Sequence, residues 1–270
     1  MSDQIDNGPT VRAKIAIDKD NVKELSKIPD LQSWCSLSVD GSINIFGREF
    51  SNPTITQYAA FNGKSDCLYY ILRRCPNVLD IQTDSPNFES PQIALPYPYP
   101  LLHLAVLSGN LECVRTVIKF STLGSSNDFI NRKDNLGFIA LHFVPLINIE
   151  ASEIGKDQNS KNSQKDDKQK QLKQSIAKEL LKNGADLFCE NCMCETPLIS
   201  ALIRDPELFE FYYNYLLQEG KKEFLENFLN EKKYIGIDDK PQTILQFFET
   251  EPQAYALLKK LQNVLNSPKE

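Results

Sequence analysis

Apolar residues recur along this chain in short runs at helical spacing, and polar turns separate the runs. Ile55 to Ala60 make one run, Gly63 follows, and Cys67 to Leu72 make the next. Leu101 to Leu107 lead through Ser108-Gly109-Asn110 to Leu111, Cys113 and Val114. Ile139 to Phe143 form another start, and Ile176 to Leu181 end at Gly184. Leu198 to Leu202 precede a second helix opened by Pro206 and carried through Leu208, Phe209, Tyr212, Tyr213, Leu216 and Leu217. Ile244 to Phe247 and Ala254 to Leu265 close the series. Upstream, Asp20-Asn21 cap a predicted helix through Val22, Leu25, Ile28, Leu31 and Trp34, which Pro29 kinks or splits. Asp40-Gly41 and Ser42 to Phe46 predict a turn and a short extended piece. Residues 1–18 carry little helical punctuation and are expected to fray or to lie along the first unit.

Two stretches break the pattern. Ser85 to Pro91 and Pro96 to Pro100 hold prolines too densely for a helix, and predict an enlarged loop with polyproline II character. Lys156 to Lys170 has no aromatic residue and almost no apolar one. It cannot offset its own ordering entropy, so an insert over 152–173 is expected to be disordered. Its six lysines and three aspartates between 156 and 173 alternate in sign, which predicts a solvated loop.

Several of these runs share a motif. Pro100-Leu101-Leu102-His103-Leu104-Ala105, with Gly109 and Val114 behind it, resembles the first helix, turn and second-helix start of an ankyrin repeat. Asp134-Asn135-Leu136-Gly137-Phe138-Ile139-Ala140-Leu141-His142 repeats the finger and first-helix half. Ile176 to Asp186 repeats the second-helix half, and Glu195-Thr196-Pro197-Leu198 opens another unit. Gly63 to Gly109 spans 46 residues against a family period of about 33, and the proline loop holds the excess. The resemblance implies an all-α fold, an α-solenoid of stacked helix-turn-helix repeats with finger turns and divergent caps. An N-terminal cap would cover 1–46. The array would cover 47–265, in units near 47–83, 98–131, 134–188 (including the insert), 190–220 and a divergent 236–265.

Composition narrows the function. The net charge of −6 and pI of about 5.2 argue against general nucleic-acid binding. The start of the chain lacks a signal-peptide pattern and no apolar run is long enough to cross a bilayer, so a cytoplasmic protein is expected, with the nucleus open. Seven cysteines without a framework of pairs suit free thiols. Cys67 and Cys113 take a buried apolar position of the motif. His103 and His142 fall at the motif histidine, to which the resemblance gives a structural hydrogen bond rather than catalysis. Cys189, Cys192 and Cys194 are the one cluster with chemical character: a soft-metal grip lacks a fourth ligand, and reversible oxidation is the alternative. No nucleotide motif is present and no cofactor is expected.

The resemblance implies a non-catalytic protein-binding module, a scaffold or adaptor that is a monomer when alone, with a concave face of finger tips and first helices. Tip residues Phe88, Tyr97, Tyr99, Arg132, Lys133, Asn135, Phe138, Met193 and Glu195 combine the types enriched at interfaces. The rival readings are a regulatory subunit or assembly chaperone with one obligate protein partner, and an enzyme or redox protein using the cysteine cluster.

Overall fold

A computed structural model describes residues 8–30, 38–39, 42–45, 48–79, 99–121, 129–148, 162–231, 234–235 and 241–267. These residues are mostly helical and fall into two compact units, Met1–Cys194 and Glu195–Glu270. No helix among the described residues is long and apolar enough to cross a membrane. Phe88, Tyr97, Trp34, the proline loop over 85–98 and the first part of the expected insert lie outside the described residues.

The first unit is a succession of antiparallel helix pairs. Helices α1 (Pro9–Asp18) and α2 (Val22–Ser26) form the first pair. An antiparallel ribbon of β1 (Ser42–Ile45) and β2 (Arg48–Ser51) follows, with Ile43 opposite Phe50. Helices α3 (Ile55–Phe61) and α4 (Ser65–Arg74) form the second pair, and a 3-10 turn at Pro76–Leu79 follows. Helices α5 (Leu101–Leu107) and α6 (Leu111–Ser121) form the third. A 3-10 helix, Ala140–Leu146, and α7 (Asn162–Lys182) complete the unit. The first members pack in one row: α1 on α3, α3 on α5, α5 on the 3-10 helix. The second members pack in another: α2 on α4, α4 on α6, α6 on α7. Between the rows lie Ile17, Leu25, Ile55, Ala59, Leu68, Leu72, Leu102, Leu104, Val117, Leu141, Ile176 and Leu180, all essentially without exposure. Alanine at 59 and 105 allows the close approach of neighbouring short helices.

The helix pairs turn the same way. Gly63 and Gly109 adopt φ +65° and +68°, the left-handed region glycine enters without a Cβ clash. In the first pair the same place is taken by Asp20 at φ +46°. The bonds agree: Asn21 N–H donates to the Ala16 carbonyl (2.8 Å), as Lys64 N–H does to Ala59 (2.9 Å). Thus residues 9–18, expected to fray or to lie along the first unit, are helical, and with α2 they make a pair built like those that follow. Asp20 concealed it, because its left-handed turn carries no glycine. Side chains then stitch pair to pair. The Tyr58 hydroxyl donates to Asp18 (2.6 Å), Cys67 N–H to Asp20 Oδ1 (3.0 Å), and Asn110 Nδ2 to the Gly63 carbonyl (2.8 Å).

The fourth pair departs from expectation. Its first member is a 3-10 segment because Pro145 has no N–H and crowds the carbonyl four residues back. Its second member begins at Asn162, well before Ser175, so residues 162–173 of the expected disordered insert are helical. The Gln169 amide donates to the Ile147 carbonyl (2.9 Å) and the Lys173 ammonium to the Pro145 carbonyl (2.8 Å). The side chains of a polar, apparently coreless stretch thus satisfy carbonyls that the proline-broken segment leaves open. Composition does not reveal such bonds.

The second unit opens with α8 (Pro197–Arg204) and α9 (Pro206–Gln218). Thr196 caps α8 by accepting the Ile199 N–H (3.2 Å), and Asp205 caps α9 by accepting the Leu208 N–H (3.1 Å). After α10 (Lys222–Asn230), a two-residue ribbon joins β3 (Tyr234–Ile235) to β4 (Pro241–Gln242). Helices α11 (Ile244–Phe247) and α12 (Pro252–Asn266) end the chain. Helix α12 packs on α8, α9, α10 and α11, burying Leu258 and Leu261 with Phe209, Tyr212 and Leu225.

Gly109 tests the packing of the first unit. A Cβ there would sit 3.0 Å from Ile147 Cγ2, on a backbone already at φ +68°. Gly109→Val should lower the unfolding free energy by about 1–3 kcal/mol, read from chemical denaturation. An unchanged midpoint would contradict the packing of Ile147 over this turn.

Candidate functional site

The residues of candidate chemistry gather around two successive turns, both in the first unit. Asp134 builds the first. Its Oδ1 accepts the N–H groups of Leu136 and Phe138 (both 2.9 Å), and its carbonyl accepts the Gly137 N–H (3.0 Å). Asn191 builds the second in the same manner, accepting the Met193 N–H at Oδ1 (2.8 Å) and the Cys194 N–H at its carbonyl (3.1 Å). Gly137 takes φ +81° and Cys194 takes φ +56° at the matching place. The two turns are bonded directly: Cys192 N–H donates to the Leu136 carbonyl (2.8 Å). Lys133 Nζ reaches the Glu190 carbonyl (3.0 Å).

Behind the first turn lies an aromatic cluster. Phe143 packs edge-on to Tyr99 and to His103, with ring centres 5.9 and 5.2 Å apart. Phe138 stacks edge-on to His142 at 5.3 Å and tilts over Phe143 at 5.7 Å. His103 Nε2 lies 2.8 Å from the Phe138 carbonyl. A carbonyl only accepts, so the proton sits on Nε2 and Nδ1 is left as an acceptor. His142 uses its own Nδ1 to accept the Ile139 N–H (3.1 Å). Gln57 and Gln246 do the same with their side-chain oxygens for Thr54 (2.9 Å) and Thr243 (3.0 Å). Three residues before His103 stands Pro100, which has no N–H. His103 Nδ1 is therefore buried without a hydrogen-bond partner.

Burial of the ring pulls the His103 pKa down to about 4. The bond to Phe138 works in the opposite direction, and the neighbouring His142 adds a small further lowering. Burial also raises the Asp134 carboxyl above its ordinary range, against the three backbone bonds that favour its charge. Both imidazoles are about 1% exposed and neither faces solvent: His103 holds the turn at Phe138, and His142 the start of its own segment.

The expected tip residues separate into two groups. Lys133, Asn135 and Met193 are exposed, Met193 at 60%. Tyr99 and Phe138 are half-buried in the aromatic cluster. Arg132 is half-buried, with its Nη1 bonded to the Leu79 carbonyl (3.2 Å) and its guanidinium over the Phe129 ring. Glu195 was expected to be an exposed tip and is instead 8% exposed. In the second unit it accepts the Ser200 hydroxyl at 2.5 Å and pairs with Arg204. The sequence did contain that signal: Ser200 and Arg204 lie one turn apart on one face of α8, the face that meets the residue before the cap. Cys192 and Cys194 are exposed and Cys189 is half-buried. Among the described residues no three His, Cys, Asp or Glu side chains converge to hold a metal. Cys67 and Cys113 are wholly buried, and burial pushes each thiol up to about 12.

No protein-family model matches this chain, and no curated protein is significantly similar to it.

Two measurements follow from this geometry. The folded pKa of His103 lies below its unfolded value of about 6.5, so its contribution is fully present above pH 6.5 and is lost as pH falls toward 4. The loss amounts to about 3 kcal/mol at most. Urea denaturation at several pH values should show a steeper acid loss in the native chain than in His103→Gln. Identical slopes would mean that the ring is not held neutral by burial. Cys194→Gly should raise the unfolding free energy by up to about 1 kcal/mol, because glycine relieves the left-handed strain at φ +56°. A drop would mean that the cysteine side chain packs in the turn.

Proposed function

We propose that this chain is an ankyrin-type repeat array that works as a scaffold or adaptor, by holding another protein against its turns and first-row helices in the cytoplasm or nucleus. The observation that carries this reading is the double-row packing of the first unit. First members pack on first members of the neighbouring pairs and second members on second members, and the first three pairs each reverse through one left-handed residue. The bond from His103 to the Phe138 carbonyl supports it, since it ties one helix pair to the turn of the next. Thr196 and Thr243 cap α8 and α11 as Thr54 caps α3, so these helices of the second unit start in the same way. A repeat stack has no central cleft. It offers a long surface whose exposed turn residues are released from packing duty.

Asn135 and Met193 are such residues, one on each of the two linked turns. Affinity capture from an extract of the source cell, read by mass spectrometry, should return a protein partner. The joint change Asn135→Ala, Met193→Ala should weaken its binding about tenfold, the loss of about 1.4 kcal/mol, with helix content unchanged by circular dichroism. Undiminished binding by the folded variant would place the interface elsewhere.

A further inference from the structure

The described cysteines of the first unit are placed in two unlike settings. Cys67, Cys75 and Cys113 are buried among apolar neighbours. Cys192 and Cys194 both stand exposed on one turn, with Met193 between them, and Cys189 is half-buried before it. That turn is held from beneath. The Asn191 carbonyl accepts the Cys194 N–H, its Oδ1 accepts the Met193 N–H, and Cys192 N–H is anchored on Leu136. Chain reach alone keeps the α-carbons of residues two apart within about 7 Å, and a closed turn brings them nearer. Disulfides need about 4.4–6.8 Å between α-carbons. The bond from Cys194 N–H to the Asn191 carbonyl folds the chain between the two cysteines, so closing a disulfide would draw on the turn alone.

We propose that Cys192 and Cys194 form a dithiol site that hydroperoxides oxidise to an intramolecular disulfide. In the first step the Cys192 thiolate attacks the terminal oxygen of the peroxide. The O–O bond breaks, the sulfur becomes a sulfenic acid, and the departing oxygen leaves as water or an alcohol after taking a proton. In the second step the Cys194 thiolate attacks that sulfur. The S–O bond breaks, water leaves, and the S–S bond forms. Two thiols lose two hydrogens, and one hydroperoxide is reduced to water and an alcohol, or to two waters. Tethering raises the effective concentration of the second thiol to about millimolar or above, so closure within one chain outruns coupling between chains in dilute solution. Met193 lies inside the ring that closes, so oxidation re-aims an exposed apolar side chain of the turn. The site stands on exposure and turn geometry and does not depend on the protein-binding reading.

Dilute, fully reduced chain treated with an equimolar amount of hydrogen peroxide should lose about 2 Da by intact mass. The loss should map to the tryptic peptide between Lys182 and Arg204. Cys189→Ser should show the same loss. Cys192→Ser and Cys194→Ser should not; Cys194→Ser should instead hold a sulfenic acid that dimedone traps at Cys192. Loss of about 2 Da that persists in Cys194→Ser, its disappearance in Cys189→Ser, or a disulfide-linked dimer in place of the internal bond would each overturn the assignment. So would the absence of any loss in the wild-type chain with its helix content intact.

Discussion

Short helices are the constraint on which the first unit depends. Helices α3 and α5 each span seven residues, and the equivalent segment at 140–146 is a 3-10 helix of the same length. Two turns do not persist alone in water, because nucleation costs more than so few bonds return. Each segment therefore needs its ends satisfied and both neighbours in place. Gln57 and His142 satisfy the start of their segments with a side chain that accepts the N–H three residues back. Burial of Ala59, Leu104 and Leu141 between adjacent pairs supplies the rest. The outcome is a row in which no member is stable by itself and every turn geometry matters to its neighbours.

Pro100 departs from that scheme. It stands just before α5 as the cap residue, with φ −53° and an extended ψ of 147°, and it withholds the N–H that His103 would accept. The imidazole is kept by its other nitrogen, through the bond to the Phe138 carbonyl. The same residue type thus serves two ends: His142 closes the start of its own segment and His103 clasps the next turn. Which end prevails is decided by the residue three positions earlier. The local sequence contains that distinction, but only bond accounting brings it out.

Legibility followed how far each feature depends on local chemistry. Glycine at 63, 109, 137 and 184 marked the reversals, and all four adopt positive φ. The apolar runs at 55–60 and 101–107 became helices at nearly the predicted bounds. Cys67 and Cys113 are buried, in agreement with their place in the pattern. Features that depend on distant partners were hidden. Asp20, read only as part of a helix cap, also turns the chain in the left-handed region, and its carboxylate is held by Cys67 N–H on another helix pair. The start of α7 reads as solvated coil until Gln169 and Lys173 are seen bonded to Ile147 and Pro145. Glu195 looks like a surface acid until Ser200 and Arg204 are counted as its partners.

The proline-broken segment at 140–146 also bears on the order in which the first unit assembles. Its carbonyls at 145 and 147 are satisfied by side chains of α7, more than twenty residues downstream. The preceding pairs close over short loops, from α3 to α4 and from α5 to α6, so their contacts form at little cost in chain entropy. The 3-10 segment has to wait until α7 has formed and docked. Folding in this unit is thereby polarised. The pairs around Gly63 and Gly109 close over the short loops that favour nucleation, while the last pair must close a longer one before its contacts form.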